Sequence, residues 1–124
     1  MSRIYSPSFI ADGPLVFVSG QVPAAPDGSV AEGDAVEQAR QVFRNIGAVL
    51  DSHGADFSHV VKVNYYIRRL SDLADLRNVM GEFLREPRPA STLVEVSGLI
   101  DPRFLMEIDA IATLPRGAAD GPDA

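Results

Sequence analysis

The sequence predicts an α+β fold, or a mixed sandwich, in which a single β-sheet carries helices on one side. Three observations predict it. Two stretches place apolar residues at three- and four-residue spacing, and strand-like alternation precedes, separates and follows them. The third is size: 124 residues with 46% hydrophobic content can bury one core and little more. The predicted order is strand, strand, helix, strand, helix, strand, strand: a mixed sheet with two helices packed on one face.

The first strand is "PLVFVSGQVP", where Val16, Phe17 and Val18 are apolar on both alternating faces before Gly20 interrupts. Such a run is expected inside a sheet rather than at its edge. "PDGS" at residues 26–29 is a turn signal, so the strand is expected to fold back on a short partner around Val30. In "GDAVEQARQVFRNIGAVLDSHGA", Val36, Ala39, Phe43, Ile46 and Leu50 form a helical stripe. Asp34 with Glu37 resembles a capping box, and Gly54 stands where a left-handed C-terminal cap belongs.

"HVVKVNYYI" then alternates, with Val61, Val63, Tyr65 and Ile67 on one face and Val60, Lys62, Asn64 and Tyr66 on the other. A second helix is expected from about Ser71 to Arg85, with Leu73, Leu76, Met80, Phe83 and Leu84 buried and Pro87 just past its end. The prolines at 87 and 89 pre-extend the chain into "STLVEV", and "RFLMEIDAIA" supplies the last strand. Residues 1–114 are read as one domain, and "PRGAADGPDA" at 115–124 as a mobile tail.

The last strand separates two faces. Met106, Ile108, Ala110 and Ala112 should lie under the helices, and Leu105, Glu107, Asp109 and Ile111 should not. Two helices cover one face, yet the other is expected to carry Val60, Tyr66, Leu93, Leu105 and Ile111, an apolar surface of the kind that marks a subunit contact. Glu107, caught among them, is expected to be partly desolvated and so suited to accepting and handing over protons. The plainer reading makes Glu107 and Asp109 a solvated strand face or an interface salt bridge, and patterning by itself favours it.

Composition excludes other classes. Eleven Lys and Arg against seventeen Asp and Glu leave a formal charge of −6, with no basic run, so nucleic acid is not an expected partner. No apolar run approaches the roughly twenty residues of a membrane span, the opening "MSRIYSPSF" lacks a signal-peptide core, and cysteine is absent. A cytoplasmic location is the expectation. His53 and His59 have no cysteine or carboxylate cluster for a zinc site, so no metal is expected. Ser19 in "FVSGQ" is not a nucleophile elbow, and there is no phosphate loop or dinucleotide fingerprint.

Five stretches carry a family resemblance: "YSP" at 5–7, "LVFVSGQVP" at 15–23, "NIGAVLDSHGADFSHVVKVNYYI" at 45–67, "RPASTLVEV" at 88–96 and "MEIDAIA" at 106–112. Together they resemble the reactive-intermediate deaminase family of RidA/YjgF type, in order and over nearly the whole chain. The resemblance implies a chorismate-mutase-like fold, a homotrimer with ligand clefts between subunits, and no cofactor. It also implies hydrolysis of enamines and imines to a carbonyl compound and ammonia. Some similar proteins are instead called endoribonuclease or translation inhibitor, the weakest of the readings here.

By the same resemblance Tyr5 matches the cleft tyrosine, Gly20 a backbone contact, and Glu107 the carboxylate thought to act on water. Active members follow the Pro-Ala pair with an arginine that grips the substrate carboxylate; here Pro89 and Ala90 are followed by Ser91. Ser91 offers a hydroxyl without charge. Thr92 is expected to line the same pocket, and Arg77 or Arg88 to be able to compensate. The alternative is a trimeric small-molecule-binding protein that has lost the reaction.

Overall fold

The computed structural model describes residues 4–114. The tail expected at 115–124 lies outside the described residues. The elements are β1 (Leu15–Gln21), α1 (Ala35–Asp51), β2 (Val60–Ile67), α2 (Leu73–Phe83), β3 (Ala90–Glu95) and β4 (Met106–Thr113), with single 3₁₀ turns at Phe57–His59 and Leu70–Asp72. The strands form one mixed sheet in the order β1-β4-β2-β3: β4 pairs antiparallel with β1 and β2, and β3 runs parallel to β2. The α+β architecture is as expected. Among the described residues no helix is long and apolar enough to cross a membrane.

Helix α1 begins where the Asp34 side chain accepts a hydrogen bond from the Glu37 N–H at 3.0 Å. The expected capping box is only half present, because Glu37 turns away to pair with Arg40 at 2.8 Å. The helix buries Ala39, Val42, Phe43, Ile46 and Leu50, and beyond it Gly54 takes φ +70°, a left-handed conformation suited to glycine. Phe43 stacks on Phe83 of α2 with ring centroids 5.1 Å apart, joining the helices over the sheet. The fully buried Gln38 donates to the Ala31 and Arg103 carbonyls and accepts from the Leu105 N–H at 2.8 Å, fixing the loop that enters β4.

Several expectations are corrected. Strand β1 is an edge strand: Val16 and Val18 face the helices, while Leu15 and Phe17 are apolar for the other, uncovered face, where Phe17 is 70% exposed. The chain returns at Val30 through an isolated bridge to Ala24, so the sheet has four strands rather than five. Val60 is buried because a bulge between Val60 and Lys62 pairs it with Ala112 on the helix side. Leu93, opposite Tyr65 in the parallel register, also packs toward the core, and Leu105 is buried ahead of β4. The uncovered face is nevertheless partly apolar, through Leu15, Phe17 and Val94.

Candidate functional site

The uncovered face of β4 carries Glu107 and Asp109, and their neighbours on β2 are set by register: Tyr66 opposite Glu107, and Asn64 opposite Asp109. Asp109 is fully engaged. Asn64 Nδ2 donates to one of its oxygens at 2.7 Å and the Tyr66 hydroxyl to the other at 3.0 Å. That hydrogen bond to Asp109, with burial and the charges of Asp109 and Glu107, holds the Tyr66 phenol above its ordinary pKa of 10.0.

On the other side of β4, the pairing with β1 shifts between Val18 and Gln21, and Gly20 lies in this irregularity. A Cβ built on Gly20 would sit 2.1 Å from Glu107 Oε2 and 3.0 Å from its Cδ. The Glu107 carboxylate therefore occupies the space that a side chain at position 20 would fill. Among the described residues it has no hydrogen-bond partner, unlike Asp109 two residues on. One carboxylate is held by its neighbours across the sheet, and the other has no hydrogen-bond partner among the described residues.

A second cluster lies on the helix side, between α2 and β3. Tyr5, Arg77 and Ser91 line a pocket of about 140 Å³ whose apolar wall is Leu73, Met80 and Leu93. Alternation along β3 turns Ser91 and Leu93 toward α2, and the N-terminal segment closes the rim. Ser6 bridges Ala90, its N–H donating to the Pro89 carbonyl at 3.0 Å and its hydroxyl to the Arg88 carbonyl. Thr92 points to the opposite, uncovered face, where it accepts a hydrogen bond from Lys62 Nζ at 2.7 Å.

Arg88 turns inward. Its Nε and Nη1 are sealed from solvent and have no acceptor. Burial pushes the neighbouring Tyr65 phenol up, and the Arg88 charge opposes that shift. A single chain thus brings Gly20 to Glu107, and Tyr5 to Arg77 and Ser91, but leaves the two groups on opposite faces of the sheet. Among the described residues no group of three His, Asp or Glu side chains could hold a metal ion. The Asn64–Tyr66–Asp109 network was missed from sequence. Alternation had put Asn64 and Tyr66 on one face of their strand, and Asp109 beside Glu107 on theirs, but the register that joins them is a long-range property.

Comparison with known proteins gives consistent matches. Residues 2–114 match the family model described as Endoribonuclease L-PSP. A RutC family protein of Pyrococcus abyssi is 42% identical over 102 residues, covering 81% of this chain and 79% of that protein. Protein DfrA of Myxococcus xanthus is likewise 42% identical over 102 residues, covering 81% and 76%. Among solved structures, RidA from an Antarctic Psychrobacter superposes with a TM-score of 0.77 at 35% identity, covering 86% of each chain.

Proposed function

The chain belongs to the endoribonuclease L-PSP family, that of the RidA and YjgF proteins, and from that premise we propose that it is a cofactor-free imine and enamine hydrolase, acting as a homotrimer in the cytoplasm. An imine carbon is already electrophilic, so the reaction needs a held water and a managed proton rather than a cofactor. Water attacks the carbon of the protonated imine while Glu107 takes a proton from it, giving a neutral carbinolamine. Glu107 then returns the proton to nitrogen, the C–N bond breaks as the hydroxyl becomes the carbonyl, and the hydroxyl proton passes to the departing ammonia, so that the carbonyl compound and ammonium leave. An enamine enters the same route once it is protonated on carbon.

The single observation that carries this reading is the Glu107 carboxylate, seated over Gly20 with no hydrogen bond from its own chain. The homotrimer is supported by the exposed Leu15, Phe17 and Val94 on the uncovered face, and by the separation of the two clusters, which a neighbouring subunit can close. Ser91 favours a second reading, a trimeric protein that binds small molecules without turning them over. Ribonuclease action is weaker, since the net charge of −6 opposes phosphate binding.

Generating the imine with an amino-acid oxidase and trapping it with semicarbazide tests the reaction. Hydrolysis should compete with trapping, and Glu107→Gln should abolish it with the trimer intact by sedimentation. Equal rates in the variant would remove Glu107 from the mechanism. Ligand binding with no hydrolysis of any imine would favour the second reading, and a monomer in solution would defeat the shared site.

A further inference from the structure

The strands beside Glu107 carry several donors, and each is turned to another acceptor. On β2, Lys62 Nζ donates to the Thr92 hydroxyl at 2.7 Å, and Asn64 Nδ2 and the Tyr66 hydroxyl donate to Asp109 at 2.7 and 3.0 Å. Arg68, just past β2, donates to the Pro102 carbonyl at 3.5 Å, and Gln21, next to Gly20 on β1, to the Ser19 carbonyl at 3.0 Å. Tyr66 is the nearest of them in register. It lies directly opposite Glu107, yet its hydroxyl reaches diagonally to the residue two further along β4. Side chains paired across antiparallel strands have Cβ atoms about 5 Å apart, and a phenol is long enough to lean onto either carboxylate. The Tyr66 phenol feels both negative charges, but only Asp109 receives its hydrogen bond.

A carboxylate without a partner on a half-buried face is the costlier arrangement. Glu107 could gain a charge-assisted hydrogen bond by leaving Gly20 and turning to Tyr66. Asp109 removes that option by holding the phenol itself, while Asn64 on its other oxygen fixes the carboxylate in place. We propose that Asp109 is a positioning residue that holds the Tyr66 hydroxyl off Glu107, and so keeps the Glu107 carboxylate bare over Gly20 and free to act on water. Asp109 thus works by sequestering a competing donor and does not touch the substrate. With phenylalanine at position 66 there would be nothing to sequester.

This inference rests on the reading of Glu107 as the base, but one arm of its test does not. Asp109→Leu fills nearly the same volume without an acceptor, and Asp109→Ala carries the same test if leucine prevents folding. In a crystal structure of the variant, the Tyr66 hydroxyl should lie within hydrogen-bond distance of a Glu107 carboxylate that has left Gly20. Imine hydrolysis, followed by semicarbazide competition, should fall about 10- to 100-fold in kcat with KM little changed, the strength of one hydrogen bond to a charged group. Adding Tyr66→Phe should restore the rate to within a few-fold of wild type, whereas a merely structural network would be damaged further by the second substitution. Asp109→Asn keeps one acceptor for the phenol and should hydrolyse like the wild type. Tyr66 turned away from Glu107 in the variant structure, unchanged hydrolysis, or a loss that Tyr66→Phe does not repair would overturn the proposal. A wild type that hydrolyses no imine would defeat the hydrolase reading, and a phenol seated on Glu107 in the variant would still show that Asp109 holds it away.

Discussion

Strand β4 has two faces that differ by one residue of register and by everything else. Met106, Ile108, Ala110 and Ala112 face the helices and are at most 2% exposed. Glu107, Asp109, Ile111 and Thr113 face away and are half-buried. On the covered face stability comes from removing apolar surface from water, roughly 1.5–3 kcal/mol for each large side chain. On the open face it comes from paired polar groups, such as Asn64 and Tyr66 on Asp109. A packed aliphatic layer cannot hold an unpartnered carboxylate. The open face can, and Glu107 stands there. The difference teaches that one strand is both wall and workbench, with alternation keeping the two apart.

Substitution on the covered face should cost the most. Ile108→Ala removes a fully buried side chain from beneath the helices and should lower the unfolding free energy by about 2–5 kcal/mol in a denaturant titration. A loss under about 1 kcal/mol would mean that the covered layer is not the seat of stability. Gly20→Ala tests the open face. Gly20 is not among the glycines with positive φ, so alanine is permitted by its backbone, and the atoms its methyl would strike are the flexible end of Glu107. The carboxylate should move aside, leaving stability nearly unchanged but slowing imine hydrolysis on the order of 100-fold, the usual effect of a misplaced reacting group. An active Gly20→Ala would detach the glycine from the chemistry. Instability equal to that of Ile108→Ala would make the open face structural.

The same contrast explains how much of the molecule was legible in its sequence. Local order was legible: the Asp34 cap, the Phe43, Ile46 and Leu50 stripe, and the stop before Pro87 are written in neighbouring residues. Strand order was not, because Val16-Phe17-Val18 reads alike at a sheet centre and at an edge whose outer face is left apolar. Val60 misled for a related reason: one bulged residue shifts it to the other face without disturbing the pattern that follows. In the site, alternation placed Glu107 on the uncovered face but could not show that Gly20 lies beneath it. It does show that Ser91 and Thr92 point to opposite faces, so the pocket they were expected to share holds only Ser91 in this chain. Arg88 precedes the strand and follows no alternation, so only packing could reveal its inward turn.

The smallest effect belongs to Asp109, and it asks whether the polar network is held by its bonds or by burial. The Tyr66 phenol is raised above 10.0 chiefly by its hydrogen bond to Asp109. A phenol raised in the folded state favours folding fully below its unfolded value near 10, and that contribution is lost as pH climbs through the folded value. Asp109→Asn removes the negative acceptor. Ultraviolet titration of the phenolates should then find Tyr66 ionising nearer 10, and the variant should lose less stability than the wild type between neutral and strongly alkaline pH. Tyr65, raised by burial under the helices, should contribute no phenolate while either protein stays folded. Near neutral pH the substitution should cost under about 1 kcal/mol, because the pair is partly open to solvent. If the Tyr66 midpoint does not move, burial rather than Asp109 sets it, and the open face is drier in solution than one chain alone makes it.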